Sequence, residues 1–239
     1  MAKFEKVNLL NYPIFFMTKE TKCPYLDNKS EKRLVTDLNN NPFLFDELSL
    51  SGFRRIENWM YRPSCSHCNE CKSYRININQ FSLTKSLKRI KKNNEGISTF
   101  LKKNLASEEY FDLFSTYQHK RHTGSSMSNM TFEDFKSMIE SSPINTQLYE
   151  FRNKEKKLIG LMLFDYQKDG LSAVYSFYDV KFEKSGLGNF MILELIELAK
   201  KLTLDYVYLG YYIKNAPRMN YKLKFQEGEL YSDGKWTKT

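Results

Sequence analysis

Downstream of residue 105 the chain alternates strand-like and helix-like segments, and this alternation constrains its fold more than any other feature. Residues 147–152, 158–166 and 171–180 carry strand patterns, and 158–164 is apolar throughout apart from Gly160. The turn Gly186-Leu187-Gly188 then opens a strongly apolar helical segment, 190–202, and 206–209 is again strand-like. Such an alternation implies helices layered on a sheet, because each element has an apolar face to bury. The expected class is α/β (α+β). Further helices are expected at 107–122, with Ser107 as cap and Glu108 and Glu109 in the dipole-favoured first turn, and at 131–141, with Thr131 as cap and Asp134 at the capping-box position.

Upstream of 105 the character changes to cysteines, the turn residues Asn39, Asn40, Asn41 and Pro42, and a lysine-rich segment. Segments 31–38 and 43–50 read as short helices, the second closed by Gly52, while 74–78 alternates as a strand. The change predicts two domains, a small cysteine-containing one at 1–105 and a second at 106–239.

Charge narrows the partners. The 239 residues include 37 Lys+Arg against 28 Asp+Glu, a net +9, which favours a polyanion, and nucleic acid over a membrane because no anchor or lipidation motif is present. No apolar run approaches the ~20 residues of a membrane-spanning helix. Glu5, Asn11 and Pro13 interrupt any signal-peptide pattern, so a cytosolic protein is expected. In 84–93, Leu87 and Ile90 share a helical face with Leu83, whereas Lys85, Lys88, Arg89 and Lys92 form a cationic stripe that Lys102 and Lys103 extend. That stripe suits phosphates; an ordinary solvated helix face is the alternative.

All four cysteines lie upstream, as Cys23 and the run Cys65-Ser-His-Cys68-Asn-Glu-Cys71. Cys-x2-Cys spacing lets two thiolates face one ion, so a structural zinc or iron-sulfur site at Cys23, Cys65, Cys68 and Cys71 is one reading, with His67 as a substitute ligand. Small thiols clustered for packing are the other, since the second knuckle of a zinc ribbon is absent.

The C-terminal half resembles the GNAT acyltransferase fold, in which a glycine turn at a helix start wraps a cofactor pyrophosphate. Gly186 and Gly188 match that turn, but Glu183 stands at its first position and its carboxylate opposes a pyrophosphate. A more specific resemblance runs through most of the chain. Cys23-Pro-Tyr25-Leu26, Gly52-Phe53-Arg54-Arg55, Tyr61-Arg62-Pro63 before the cysteine run, the segment from Leu171 to Asp179, Leu187-Gly188, Tyr208-Leu209-Gly210-Tyr211 and Met219-Asn220-Tyr221-Lys222 stand in one order. That order resembles the aminoacyl-tRNA-protein transferases, in particular the bacterial leucyltransferase branch related to arginyl-tRNA-protein transferase. Departures are Ile56 and Gly186, where the family usually has serine, and a loose basic segment Gln118-His119-Lys120-Arg121-His122.

The resemblance implies transfer of leucine from leucyl-tRNA to the α-amine of a protein beginning with Asp or Glu, marking it for N-degron degradation. The ester is already activated, so no cofactor is required for the chemistry. Arg54 and Arg55 are the candidates for the acidic side chain, because a guanidinium matches a carboxylate in a planar fork; a structural ion pair is the alternative. Tyr211, Lys214, Arg218, Tyr221 and Lys222 form an aromatic-basic cluster suited to a single-stranded CCA end, with Lys214 and Arg218 joining the stripe as tRNA contacts. His122 and Asp179 are candidate proton acceptors, Tyr178 is a further catalytic candidate, and Tyr175 and Tyr178 are candidate pocket walls. Strand alternation puts Tyr178 on one face and Tyr175 and Asp179 on the other, so only one set can face the cleft. Arginine in place of leucine, a CoA-dependent N-acetyltransferase, and a non-catalytic metal-dependent nucleic-acid binder are the competing readings.

Overall fold

The computed structural model describes residues 13–39, 41–121, 124 and 126–239. In chain order its elements are β1 (Phe16–Met17), β2 (Thr21–Lys22), β3 (Ser30–Glu31), β4 (Arg33–Asp37), α1 (Phe45–Leu50), β5 (Arg54–Ile56), β6 (Trp59–Pro63), β7 (Lys72–Asn77), α2 (Lys85–Asn93) and β8 (Ser98–Lys103). They continue with α3 (Glu108–Arg121), α4 (Phe132–Glu140), β9 (Thr146–Arg152), β10 (Leu158–Tyr166), β11 (Gly170–Tyr178), α5 (Leu187–Lys201), β12 (Tyr206–Tyr212), β13 (Gly228–Ser232) and β14 (Lys235–Lys238).

An eight-stranded sheet in the order β14-β13-β7-β12-β11-β10-β9-β8 is the centre of the molecule, and a four-stranded sheet, β1-β4-β6-β5, stands beside it. The pairing of the large sheet crosses the division expected at residue 105. The large sheet takes β7 and β8 from upstream of that point, and β7 sits between β12 and β13. Composition shifts at 105, but strand pairing crosses it.

β10 shows why this sheet needs cover on both sides, since all of it except Tyr166 is buried. Ile159, Met162 and Phe164 join a core with Leu87 and Ile90 of α2 and Phe190 and Met191 of α5. Leu158, Leu161 and Leu163 join the opposite core, with Phe114 of α3 and Phe135 of α4. Each such side chain contributes about 1.5–3 kcal/mol by leaving water. β10 and β11 are antiparallel, β11 and β12 parallel with α5 connecting them, which is the arrangement expected of a GNAT-like acyltransferase fold. Gly186, at φ 78°, ends the turn before α5. A Cβ there would come within 3.1 Å of Ile90, so the glycine also lets α2 lie against α5.

The caps follow the expected chemistry. Thr131 and Asp134 form a full capping box on α4, and Thr84 caps α2 through the Leu87 amide at 3.2 Å. Segment 31–38 is a correction: it holds β4, not a helix. Leu34, Thr36 and Leu38 imitate helical spacing at their ends, but at period two they share one strand face, with Thr36 and Leu38 buried. The β-branched pair Val35-Thr36 favours the pleat as well.

Candidate active site at the strand splay

β11 and β12 pair only over Gly170–Ser172 and Tyr206–Tyr208, then diverge. Arg54, from β5 of the small sheet, enters at the point of divergence. Its Nη2 donates to the carbonyls of Val174 at 3.0 Å and Ala173 at 3.3 Å. On the facing strand Gly210 adopts φ +73°, and a Cβ at that position would collide with the guanidinium. A positive φ and a close approach together account for glycine here.

The surroundings of Arg54 are phenolic. Tyr61, Tyr211, Tyr25 and Tyr221 are the groups that act on its charge, against the burial that opposes it, and the guanidinium lies 5.9 Å from the Tyr211 ring centre. Arginine keeps its charge regardless. Among the described residues, however, no carboxylate forms an ion pair with it. Neutral phenols supply dipoles, not a counter-charge.

Lys222 is a second cation in the same place. It is 2% exposed, its Nζ donates to the Tyr211 carbonyl, and Met219 Sδ lies 3.7 Å away. Burial first, and then the Arg54 charge, hold its pKa well below the ordinary lysine value, with the Cys71 thiol acting the other way. The expected role on tRNA phosphates is therefore corrected, because an ammonium sequestered from solvent does not meet a phosphate backbone. Tyr211 is also interior: its hydroxyl sits 2.9 Å from the Tyr61 carbonyl and 3.1 Å from that of Gly52, bracing the strands that present Arg54.

Arg55 is the clearest correction. Its Nε and Nη2 each donate to the Asp165 carboxylate at 2.7 Å, and Nη1 donates to the Glu57 carbonyl at 2.7 Å. Thr146 donates to the same carboxylate at 2.7 Å, and both ion-pair side chains are essentially inaccessible. No face of this guanidinium is left for a substrate. Strand alternation sends adjacent arginines in opposite directions, Arg54 to the splay and Arg55 to the interior.

A second group of tyrosines borders the site through Tyr221. Tyr117 is within electrostatic reach of Tyr175, Tyr178 and Tyr221, and its ring packs 5.3 Å from that of Tyr178. Tyr175 accepts a hydrogen bond from Gln118 at 2.6 Å, and Tyr178 accepts one from Arg121 at 2.9 Å. Burial raises the pKa of both phenols, which suits them to line a pocket and not to accept protons. Tyr178, also a catalytic candidate, is held at this border by Arg121. The Asp179 carboxylate accepts from the Lys181 amide at 3.1 Å and caps the turn leading to α5. His122 lies outside the described residues.

Residues 21–89 match the family described as "Arginine-tRNA-protein transferase, N terminus", and residues 109–232 match its "C terminus" counterpart. A Rhodospirillum rubrum protein named "Aspartate/glutamate leucyltransferase" is 41% identical over 231 residues, covering 95% of this chain and 94% of its own. One of the same name from Granulibacter bethesdensis is 40% identical over 224 residues, covering 93% and 84%. The chain belongs to the arginine-tRNA-protein transferase family. Among solved structures, this transferase is similar to L-PGS from Bacillus licheniformis, with 13% identity, a TM-score of 0.45, and coverage of 73% of this chain and 50% of that one.

The cations expected on the tRNA path of the transferase divide by exposure. Lys85, Lys88, Arg89 and Lys92 all face solvent on α2 while Leu87 and Ile90 are buried. Lys214 and Arg218 are exposed as well. None of these six forms an ion pair among the described residues. Lys88 and Lys92, with Lys91, border an open groove of about 480 Å³ floored by Leu83, Ile97 and Phe190. At the glycine turn, Glu183 pairs with Arg121 at 2.5 Å, so the carboxylate noted in the sequence has a cation partner of its own.

The four cysteines of the transferase converge, each half-buried, on one small cavity that Tyr25, Glu31 and Ile213 help to line. Burial, then Cys23, Cys65 and Cys68, push the Cys71 thiol up to about 12. As placed, no three described His, Cys, Asp or Glu side chains are arranged to hold an ion, and His67 is exposed. Sequence reading did not single out Tyr25, Tyr61 or Gly210 as parts of the site, although Tyr25, Tyr61 and Gly210 all stand in the segments that carry the family resemblance.

Proposed function

We propose that this transferase moves leucine from leucyl-tRNA to the α-amine of proteins beginning with Asp or Glu, and so marks them for N-degron degradation. The observation that carries this reading is Arg54: a guanidinium wedged between diverging strands, ringed by phenols, with no described carboxylate as partner. A buried charge calls for a counter-ion, and an acidic N-terminal side chain supplies one. The shared name of the relatives supports leucine over arginine. The Glu183–Arg121 pair at the glycine turn weighs against a CoA pyrophosphate.

The chemistry asks little beyond placement. The tRNA ester is activated, so aligning an amine with its carbonyl lowers the barrier through orientation fixed in advance, and donors near the developing oxyanion lower it further. The exposed cations of α2, with Lys214 and Arg218, are the proposed phosphate track. No described helix is long and apolar enough to cross a membrane, and the proposed place of action is the cytoplasm, where charged tRNA is found.

One experiment tests both substrates. The chain is incubated with leucyl- or arginyl-tRNA and peptides beginning with Asp, Glu or Ala, and mass is followed. Leucine appears on Asp and Glu peptides only; arginine addition, or modification of the Ala peptide, refutes the reading. In parallel, reversing Lys85, Lys88, Arg89 and Lys92 to Glu lowers the salt-dependence slope of tRNA binding by about 3.6, at roughly 0.9 for each phosphate left without its cation. An unchanged slope removes α2 from the track.

The thiol cluster is proposed as a structural site for zinc or an iron-sulfur cluster, joining the Cys23 loop to the 65–71 segment. What supports it is the donor set, four sulfurs whose mutual opposition to ionisation a soft cation would relieve. No step of transfer passes through it. Purified protein is expected to carry zinc or iron near one site per chain and to lose it in Cys71→Ser; metal-free protein of unchanged stability overturns the assignment.

A further inference from the structure

Cations along α2 can position an RNA but cannot read it, because phosphates carry no sequence. The groove beside them offers more than charge. Lys88, Lys91 and Lys92 border it, all exposed, while Leu83 ahead of α2, Ile97 after it and Phe190 of α5 make its floor apolar. Its volume of about 480 Å³ falls in the range of small-molecule sites and has room for one nucleotide. A carboxylate also reaches it. Glu194 follows Phe190 by one turn on the same face of α5 and is half-buried. Among the described residues neither Glu194 nor any of the three lysines forms an ion pair. Burial raises the pKa of Glu194; Lys91 opposes the rise, Glu197 adds to it and Lys201 opposes it. A carboxylate in such an apolar slot calls for N–H donors. Glu95, the other carboxylate on the border, is exposed to solvent.

We propose that this groove holds one unpaired nucleotide of the tRNA's single-stranded 3′ end, with its phosphate on the lysines, its base against Phe190 and its exocyclic amino group on Glu194. The assignment rests on the transferase reading above. Each nucleotide of a CCA end carries such a group, the N4 amine of cytosine or the N6 amine of adenine. Uracil has none: its pairing edge sets two carbonyl oxygens around a single N–H, and those oxygens oppose a carboxylate. Contact with an apolar floor tolerates any base, so Glu194 supplies the choice, by reading the pairing edge that an unpaired base leaves free.

The groove is braced and suitably placed. Asn94 Nδ2 donates to the Ile90 carbonyl at 2.8 Å and to the Ser185 carbonyl at 2.9 Å, and Ser185 Oγ donates to Asn94 Oδ1 at 2.9 Å. The end of α2 is thereby tied to the turn before α5, and a wall fixed in advance has little ordering left to lose on binding. Gly188 abuts the ring of Tyr178, which a Cβ there would meet at 3.0 Å. Glu194 is six residues further along the same helix, a rise of about 9 Å. The groove and the tyrosine-lined border of the active site thus share α5, and a single strand following that helix meets both.

The test compares two uncharged leucine tRNA transcripts, identical except that one ends in CCA and the other in UUU, binding to the full chain. CCA is expected to bind roughly tenfold more tightly, near the lower worth of one hydrogen bond to a charged group. Glu194→Gln keeps the size of the side chain, but its amide both donates and accepts, so the two transcripts are expected to come within about twofold of each other, chiefly through tighter UUU binding. Lys88→Ala with Lys91→Ala is expected to weaken both transcripts alike, because it removes phosphate contacts and leaves the base contact in place. Equal affinities in the unaltered protein, a preference untouched by Glu194→Gln, or unchanged affinities in the lysine pair variant each overturn the proposal. Binding here needs neither the amino acid nor an acceptor. A failure of the transferase reading is therefore told apart, as absent leucine transfer beside an intact, Glu194-dependent preference for CCA.

Discussion

Replacing Arg54 by alanine lowers kcat/KM for acceptors beginning with Asp or Glu by roughly two to three orders of magnitude, the cost of removing one partner of a buried charge pair. The guanidinium is anchored by Ala173 and Val174 carbonyls through Nη2 alone, so its other N–H groups are the ones offered to a carboxylate. The variant therefore loses the feature that separates Asp from Asn. Measured as a cycle, Arg54→Ala depresses transfer to an Asp peptide strongly and to an Asn peptide little. Arg54→Lys recovers a minor part, because an ammonium cannot bridge both carbonyls and still present a planar edge. Equal losses on Asp and Asn peptides would assign Arg54 to strand spacing and not to recognition.

Arg55→Ala behaves in another way: stability falls by about 3–5 kcal/mol, as is usual when one member of a buried ion pair is removed. That is a large share of the roughly 5–15 kcal/mol typical of a domain. Asp165, fully buried on β10, would be left with Thr146 as its side-chain donor. Asp165→Ala produces the same loss from the opposite side. The double replacement Arg55→Met with Asp165→Leu recovers most of it, because matched apolar side chains avoid the desolvation that both charges bear. Denaturant titration measures the loss, and the folded fraction of Arg55→Ala retains its preference for Asp and Glu acceptors. A changed preference without a change in stability would return Arg55 to the site.

These neighbours show where the sequence was readable. α2, α4, α5 and β9 to β11 were legible because each has an apolar period or a cap that only one structure satisfies. Segment 31–38 was not, since Leu34 and Leu38 fit a helix and a strand equally well; the pairing of β4 with β1 and β6 decides. The site was legible as a set of residue types and illegible as a geometry. Two consecutive arginines are chemically identical, and which one meets a substrate depends on Asp165 and on the Ala173 and Val174 carbonyls, more than a hundred positions away. Lys222 read as a surface cation for the same reason, because the Tyr211 carbonyl that its Nζ meets and the Tyr74 hydroxyl that holds its own carbonyl come from distant strands.

The placement of β7 bears on how such a molecule is made. Asn77 pairs with Tyr206 on one side and Ile76 with Gly228 on the other, so a ribosome releases this strand well before either neighbour exists. Tyr74 and Ile76, fully buried in the end, have no sheet to join until nearly all the chain has emerged. Closing such distant pairings is slow, and an unpaired apolar strand invites wrong association in the meantime. Newly made chains should therefore depend on chaperones holding the first hundred residues, and a C-terminal truncation before residue 228 should aggregate instead of yielding a folded N-terminal half.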